Sequence, residues 1–141
     1  MKKVLISIVA LGLIVSSFLA LSYFDFSDIE GTITITLIDE IGDTISSKNY
    51  EFDSEDNLCD ILEENYELGC TDSGYRLSTD CEPKLVGSRV LLKIGDLETD
   101  WINSYIAIYE NGEYSMLGID NISINDEDVF IFEYKLVGGD N

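Results

Sequence analysis

One run of six residues does most to limit the folds open to this chain: Thr32-Ile33-Thr34-Ile35-Thr36-Leu37. Its strict period of two puts Ile33, Ile35 and Leu37 on one face and three threonines on the other. That is the signature of a half-buried strand rich in β-branched residues. Such a strand needs a second layer to cover its apolar face. Residues Asp39 to Asp43, with Gly42 inside, read as a turn, and Thr44 to Phe52 as the returning arm of a hairpin. One helix follows. Asp53 or Ser54 can cap it, Glu55 and Asp56 suit its positive end, and Leu58, Ile61, Leu62 and Tyr66 have the spacing of a buried stripe. Glu63, Glu64 and Glu67 then face water, and Gly69 is placed to end the helix in a left-handed conformation.

Beyond Gly69, Cys70 to Pro83 reads as a loop and Val86 to Ile94 as a third strand ended by Gly95-Asp96. Tyr105 to Tyr109 and Tyr114 to Met116 flank Glu110-Asn111-Gly112-Glu113, a strong hairpin signal because both central positions need positive φ. Ile119, Ile122 and Ile124 precede a turn at Asn125-Asp126-Glu127-Asp128, and Val129 to Leu136 forms the last strand. The order is hairpin, helix, further strands. It predicts an α+β fold in which one helix packs on one face of a mixed sheet, and a β-grasp-like arrangement fits that order.

The N-terminus has a different character. Lys2-Lys3 precede an uncharged apolar run from Val4 to Leu21, and the first acids, Asp25 and Asp28, come after it. Basic residues before such a run, with acids beyond, keep the N-terminus cytoplasmic and send the rest outward. Residues 1–24 fit a signal peptide, with small residues at Ala20 and Ser22 for cleavage, and fit a retained signal anchor equally. Residues 25–30 read as an acidic linker, 31–137 as one domain and 138–141 as a tail. The expected location is extracytoplasmic, with the membrane touched through the N-terminal segment only.

Charge narrows the partners. Without Lys2 and Lys3, six basic side chains face 28 acidic ones, a formal −22. A surface of that sign repels phosphate backbones, so nucleic acid is excluded as a partner. The 45% hydrophobic and 11% aromatic content argues against a disordered acidic chain.

The segment Asp100-Trp101-Ile102-Asn103-Ser104-Tyr105-Ile106-Ala107-Ile108-Tyr109-Glu110-Asn111-Gly112-Glu113-Tyr114 continues into Gly118-Ile119-Asp120 and Asn125-Asp126-Glu127-Asp128-Val129-Phe130. It resembles the bacterial exported domains related to the C-terminal domain of transcobalamin. Their pattern is a Trp, a Tyr-bearing strand, an Asn-Gly turn, a Gly-Ile and an acidic turn into the closing strand. The leading hairpin and helix, Gly31 to Leu68, match in order and length. Where the family often has two adjacent aromatics, this chain has Trp101-Ile102, and the stretch from Cys70 to Pro83 is its own. The resemblance implies a β-grasp-like fold, an exported location and no catalysis. It also implies a cobalamin-like ligand among those to test, since transcobalamin's domain closes over a corrinoid.

Catalytic and metal chemistry find little support. With no histidine, neither a Ser-His or Cys-His nucleophile nor a His-ligated zinc site can be built. Paired carboxylates for glycoside hydrolysis arise by chance among 28 acids. The Asn125–Asp128 cluster, with Asp120 and Asn121, offers oxygen ligands without calcium-loop spacing, and a polar turn is its simpler reading. Outside the cytoplasm a Cys70–Cys81 disulfide would staple the loop between them, with Cys59 a small buried hydrophobe, while three unpaired thiols stay open as the alternative. The expected role is therefore a non-enzymatic binding module with no resident cofactor. Its partner is a small-molecule ligand or, alternatively, a membrane transporter or other envelope protein. The candidate ligand-binding residues are Trp101, Asn103, Tyr105, Tyr109, Asn111 and Tyr114. Along one strand Tyr105, Ala107 and Tyr109 share a face opposite Ile106 and Ile108. Rigid amphipathic rings there give contact area at low entropic cost, although aromatics that merely cover the outer face of a sheet would look the same.

Overall fold

The computed structural model describes residues 29–71, 76–78, 81 and 88–139. The apolar run at 4–21, most of the linker and the last two residues lie outside the described residues. Among the described residues no helix is long and apolar enough to cross a membrane.

The alternating run becomes β1 (Ile29–Ile38), which pairs antiparallel with β2 (Thr44–Asp53). Ile33, Ile35 and Leu37 are buried as the alternation requires. The intervening threonines line the opposite face, where the Thr34 and Thr36 hydroxyls bond to Asn49 and Ser47 at 3.0 and 2.8 Å. On its other side β1 runs parallel to the last strand, β9 (Val129–Leu136), so Phe130 and Phe132 stand beside Ile35 and Leu37. Strand β7 (Ser104–Glu110) pairs antiparallel with β9, and the two-residue β8 (Glu113–Tyr114) completes a five-stranded mixed sheet in the order β2-β1-β9-β7-β8.

Helix α1 (Leu58–Asn65) buries Leu58, Cys59, Ile61 and Leu62 in the core that the sheet's apolar face shares. Its cap is Asn57, whose side chain accepts from the Cys59 and Asp60 amides while Asp60 reaches back to the Asn57 amide. The expected caps are corrected: Asp53 and Asp56 close a preceding turn on each other, so the helix begins one turn later. Gly69 is also corrected. The helix ends at Tyr66 in extended backbone, and Gly69 lies within β3 (Leu68–Thr71). A Cβ at Gly69 would meet Leu77 Cδ1 at 2.6 Å and Lys93 Cβ at 3.0 Å, so glycine is there for close strand packing.

A second sheet departs from the single-sheet expectation. Strand β3 lies between β4 (Leu77–Ser78) and β5 (Leu91–Ile94), and β5 pairs with β6 (Leu97–Glu98), all antiparallel. Among the described residues the Cys70–Pro83 stretch thus contributes to two short strands, and of the expected strand Val86–Ile94 the part Leu91–Ile94 is a strand, Val86 and Gly87 lying outside the described residues. Pairing of β3 with β5, remote in sequence, sets this sheet, and local periodicity carries no trace of it. Leu68, Cys70, Leu91, Ile94 and Leu97 join the same core, so both sheets and α1 bury one another. The coarse α+β class, sheet-dominated with one helix, is what the residues predict. Cys70 and Cys81 are joined by a disulfide with Cα atoms 5.2 Å apart, and Cys59 is a buried free thiol.

Candidate functional site

The aromatic segment is positioned by two turns. Asp100 accepts hydrogen bonds from the backbone N–H groups of Ile102, Asn103 and Ser104 and from the side chains of Asn103 and Ser104, at 2.7–3.1 Å. The Asn103 bonds above all hold its carboxyl well below the usual carboxylate range. This ring of donors stabilises Trp101 at φ 61°, a left-handed conformation that a tryptophan does not adopt unaided. At the other end of β7, Asn111 (φ 53°) and Gly112 (φ 85°) make the tight turn that returns Tyr114 beside Tyr109, ring centroids 5.7 Å apart at 73°. Such edge-to-face packing fixes both rings.

Strand β8 covers only Tyr109 and Glu110, and the chain then leaves through Met116 and Leu117. Between the Tyr105–Ile108 stretch of β7 and residues Ser88–Leu91 lies a cleft of about 290 Å³. Trp101, Tyr105, Tyr114, Met116 and Leu117 rim it, and Leu91, Ile106, Ile108 and Ile119 line it. Trp101 is 39% exposed, Tyr114 52% and Met116 87%, so the rim meets solvent. A second hollow of about 540 Å³ lies over the outer face among Tyr105, Tyr109, Tyr114 and Lys135.

Of the six predicted ligand contacts, Trp101, Tyr105, Tyr109 and Tyr114 come together around these two hollows. Asn103 and Asn111 line neither. The Asn103 amide is bonded to Asp100. The Asn111 amide donates to Asp128 Oδ1 at 2.8 Å while its oxygen accepts from the Val129 N–H at 2.9 Å, tying the hairpin to the start of β9. The acidic turn is likewise engaged in folding. Asp128 accepts from Asn125 as well as Asn111, and Asp126 accepts from the Thr32 N–H. Among the described residues no three Asp, Glu or Cys side chains gather to hold a metal ion.

The cleft wall at Ser88–Arg89 hides a group that sequence reasoning passes over. Arg89 is almost fully buried, bonding Asp120 through Nε at 2.8 Å, Glu63 of α1 through a second nitrogen, and the Cys81 carbonyl at 2.9 Å. Asp120 also takes the Arg89 N–H at 2.5 Å, the Ser88 hydroxyl at 3.0 Å and the Cys59 thiol at 3.5 Å. Burial alone would raise the Asp120 pKa, but these donors and the guanidinium charge outweigh it and hold the carboxyl below its ordinary value. Burial likewise pushes the Cys59 thiol up to about 12. The only available hint of this network was an arginine among few cations in an acidic chain. Gly118 presses on the same wall: a Cβ there would collide with the Ser88 side chain.

No family model matches the chain, and no curated protein resembles it at a significant level. Among solved structures, a protein from Ruminococcus gnavus ATCC 29149, provisionally named as metal-binding, is similar over 77% of this chain and 99% of its own. Identity is 22% and the TM-score 0.54, a likeness of fold alone.

Proposed function

We propose that this chain is a non-enzymatic, extracytoplasmic binding module of the kind the transcobalamin C-terminal domain represents, holding a small organic ligand at the Trp101 cleft. The observation that carries this reading is the aromatic rim itself: a strained Trp101, Tyr105 and Tyr114 stand around an apolar hollow open to solvent. A parallel β1–β9 centre flanked by antiparallel β2 and β7 supports a β-grasp-like domain over residues 31–137. A hollow of about 290 Å³ is at the lower limit for enclosing a drug-sized molecule, and suits a domain that closes over one edge of a corrinoid-sized ligand. Asp100, next to Trp101 in the chain, and Asp120, bonded to Ser88 and Arg89 of the cleft wall, are engaged in structural hydrogen bonds, which speaks for binding rather than acid–base work. The acidic surface argues against nucleic acid, and the Lys2-Lys3 apolar leader supports export. Metal binding, ascribed to the Ruminococcus protein, ranks below this reading because the Asn125–Asp128 carboxylates serve the turn.

Titration with cyanocobalamin and with cobinamide, read by the single tryptophan, tests the proposal. A saturable quench or blue shift that Tyr105→Ala weakens is expected, and unchanged emission with both would end the corrinoid reading.

A second reading, docking onto a transporter or another envelope protein, is favoured by one observation. Met116, 87% exposed, and Leu117, 53%, give the rim an exposed apolar edge, and Ile102, next to Trp101 in the chain, is 70% exposed. Stoichiometric recovery of a membrane protein after cross-linking, lost in Met116→Glu, would favour it.

A further inference from the structure

The outer face of the mixed sheet carries a second feature, which shares Tyr105 and Tyr114 with the Trp101 cleft and adds Tyr109, Glu133 and Lys135. On β7 the tyrosines at 105 and 109 flank the small Ala107, and across the ladder on β9 Lys135 faces Tyr105 while Glu133 faces Ala107. Lys135 Nζ and Glu133 Oε1 are 2.9 Å apart on this face. The hollow among Tyr105, Tyr109, Tyr114 and Lys135 is not isolated. Strand β1 ends opposite Glu133, whereas β9 runs on to Leu136. The step so formed, beside the β1–β2 turn at Asp39–Gly42, is a further hollow of about 320 Å³, and it shares Tyr105 and Lys135 with the one of about 540 Å³. The two make one groove, aromatic at the hairpin end and rich in carboxylate at the other.

We propose that this groove is a binding site for a neutral oligosaccharide. A pyranose presents an apolar C–H face and a rim of hydroxyls. Tyrosine rings complement the face, with their own hydroxyls at its edge. The Glu133–Lys135 pair sets an acceptor beside a donor at about the separation of two vicinal hydroxyl oxygens, and both bonds to a sugar would be charge-assisted. The combined space falls within the range of small-ligand clefts and is elongated, as a short glycan requires. Acidic sugars are disfavoured by the chain's net charge of −20 and by Asp39, Glu40 and Glu133 at the groove. Among the described residues the aromatic end, lined by Tyr105, Tyr109, Tyr114 and Lys135, has no carboxylate to hold a cationic sugar over the rings.

Calorimetric titration with cellohexaose, maltohexaose and laminarihexaose, alongside a chitosan hexamer and hexagalacturonate, tests the site. At least one neutral hexamer is expected to bind, with an affinity that stays within about twofold between about 50 and 300 mM salt. Tyr105→Ala should weaken it about tenfold, and Lys135→Met and Glu133→Gln several-fold each. Tyr114→Ala, at an exposed position, supplies an independent aromatic variant should Tyr105→Ala fold poorly. Trp101→Ala should leave sugar binding within about twofold, and Lys135→Met should leave the corrinoid-induced change in Trp101 emission within about twofold, so the two proposals fail separately. Binding of none of the neutral hexamers, binding of the chitosan or galacturonate hexamer alone, or indifference to the Tyr114, Glu133 and Lys135 variants would overturn it.

Discussion

Replacing Arg89 by methionine keeps much of the side-chain volume and removes the charge at the centre of the network beneath the cleft. Asp120, 21% exposed, loses its guanidinium but keeps the Arg89 N–H and Ser88 hydroxyl. Glu63, 47% exposed, regains water at little cost. The Cys81 carbonyl loses a donor. Breaking a buried pair costs about 3–5 kcal/mol, and the solvent access of the acids places this case near the lower end, at about 3 kcal/mol. For a urea m-value of about 2 kcal/mol per molar, the unfolding midpoint should fall by about 1.5 M, followed through Trp101 emission. The pH dependence adds a second readout. Because the folded Asp120 carboxyl is held below its ordinary range, its contribution is present above about pH 4 and is lost as pH falls through the folded value. In Arg89→Met the guanidinium's share of that depression is lost while the backbone N–H and Ser88 hydroxyl remain, so the difference between variant and parent should narrow as pH drops from 7 towards 3. Arg89→Met with Asp120→Asn should recover a large part of the loss, because no uncompensated acid is left at the site. A midpoint shift below about 0.5 M, or an equal penalty at both pH values, would refute this account of the network.

Two further outcomes follow from neighbouring features. Thiol titration of the native protein at pH 8 should detect no reactive cysteine, and in denaturant one, since Cys70 and Cys81 are paired and burial holds the Cys59 thiol near 12; a native reactive thiol would contradict it. Gly69→Ala should destabilise the domain by about 1–3 kcal/mol in urea unfolding, because the added methyl meets Leu77 and Lys93, whereas Gly→Ala in the open turn at Gly112 should cost only about 1 kcal/mol of backbone strain.

What could be read in advance divides along a physical line. Features set by near neighbours in the chain were legible: the alternation of β1, the stripe Leu58, Ile61 and Leu62, the Asn111-Gly112 turn, and the opposite faces of Tyr105 and Ile106. Features set by distant partners were not. Gly69 looks like a helix terminator until Leu77 and Lys93 arrive beside it. Asp53 looks like a cap until Asp56 bonds back to its amide and leaves that role to Asn57. In the candidate site the aromatic members were legible because tyrosines at alternate positions must share a face. Asn103 and Asn111 line neither hollow because the turns engage their side chains, Asn103 through the Asp100 carboxylate and Asn111 through Asp128 and the Val129 N–H. Arg89 and Lys135 acquire meaning only from distant parts of the chain, from acids 26 or more residues away in the first case and from the tyrosine row of β7 in the second.

The parallel seam at the sheet's centre also governs how this domain can come into being. Thr34 pairs with Val129, so the first strand waits for one made almost a hundred residues later before its inner edge closes. Contacts of such long sequence separation pay their loop-closure entropy before any reward and make for slow folding. Until Val129–Leu136 has been synthesised, β1 and β2 have no seat for Phe130 and Phe132 and can form at most a marginal hairpin. Nicking the chain between Asp128 and Val129 would therefore cost the whole architecture rather than a terminal strand.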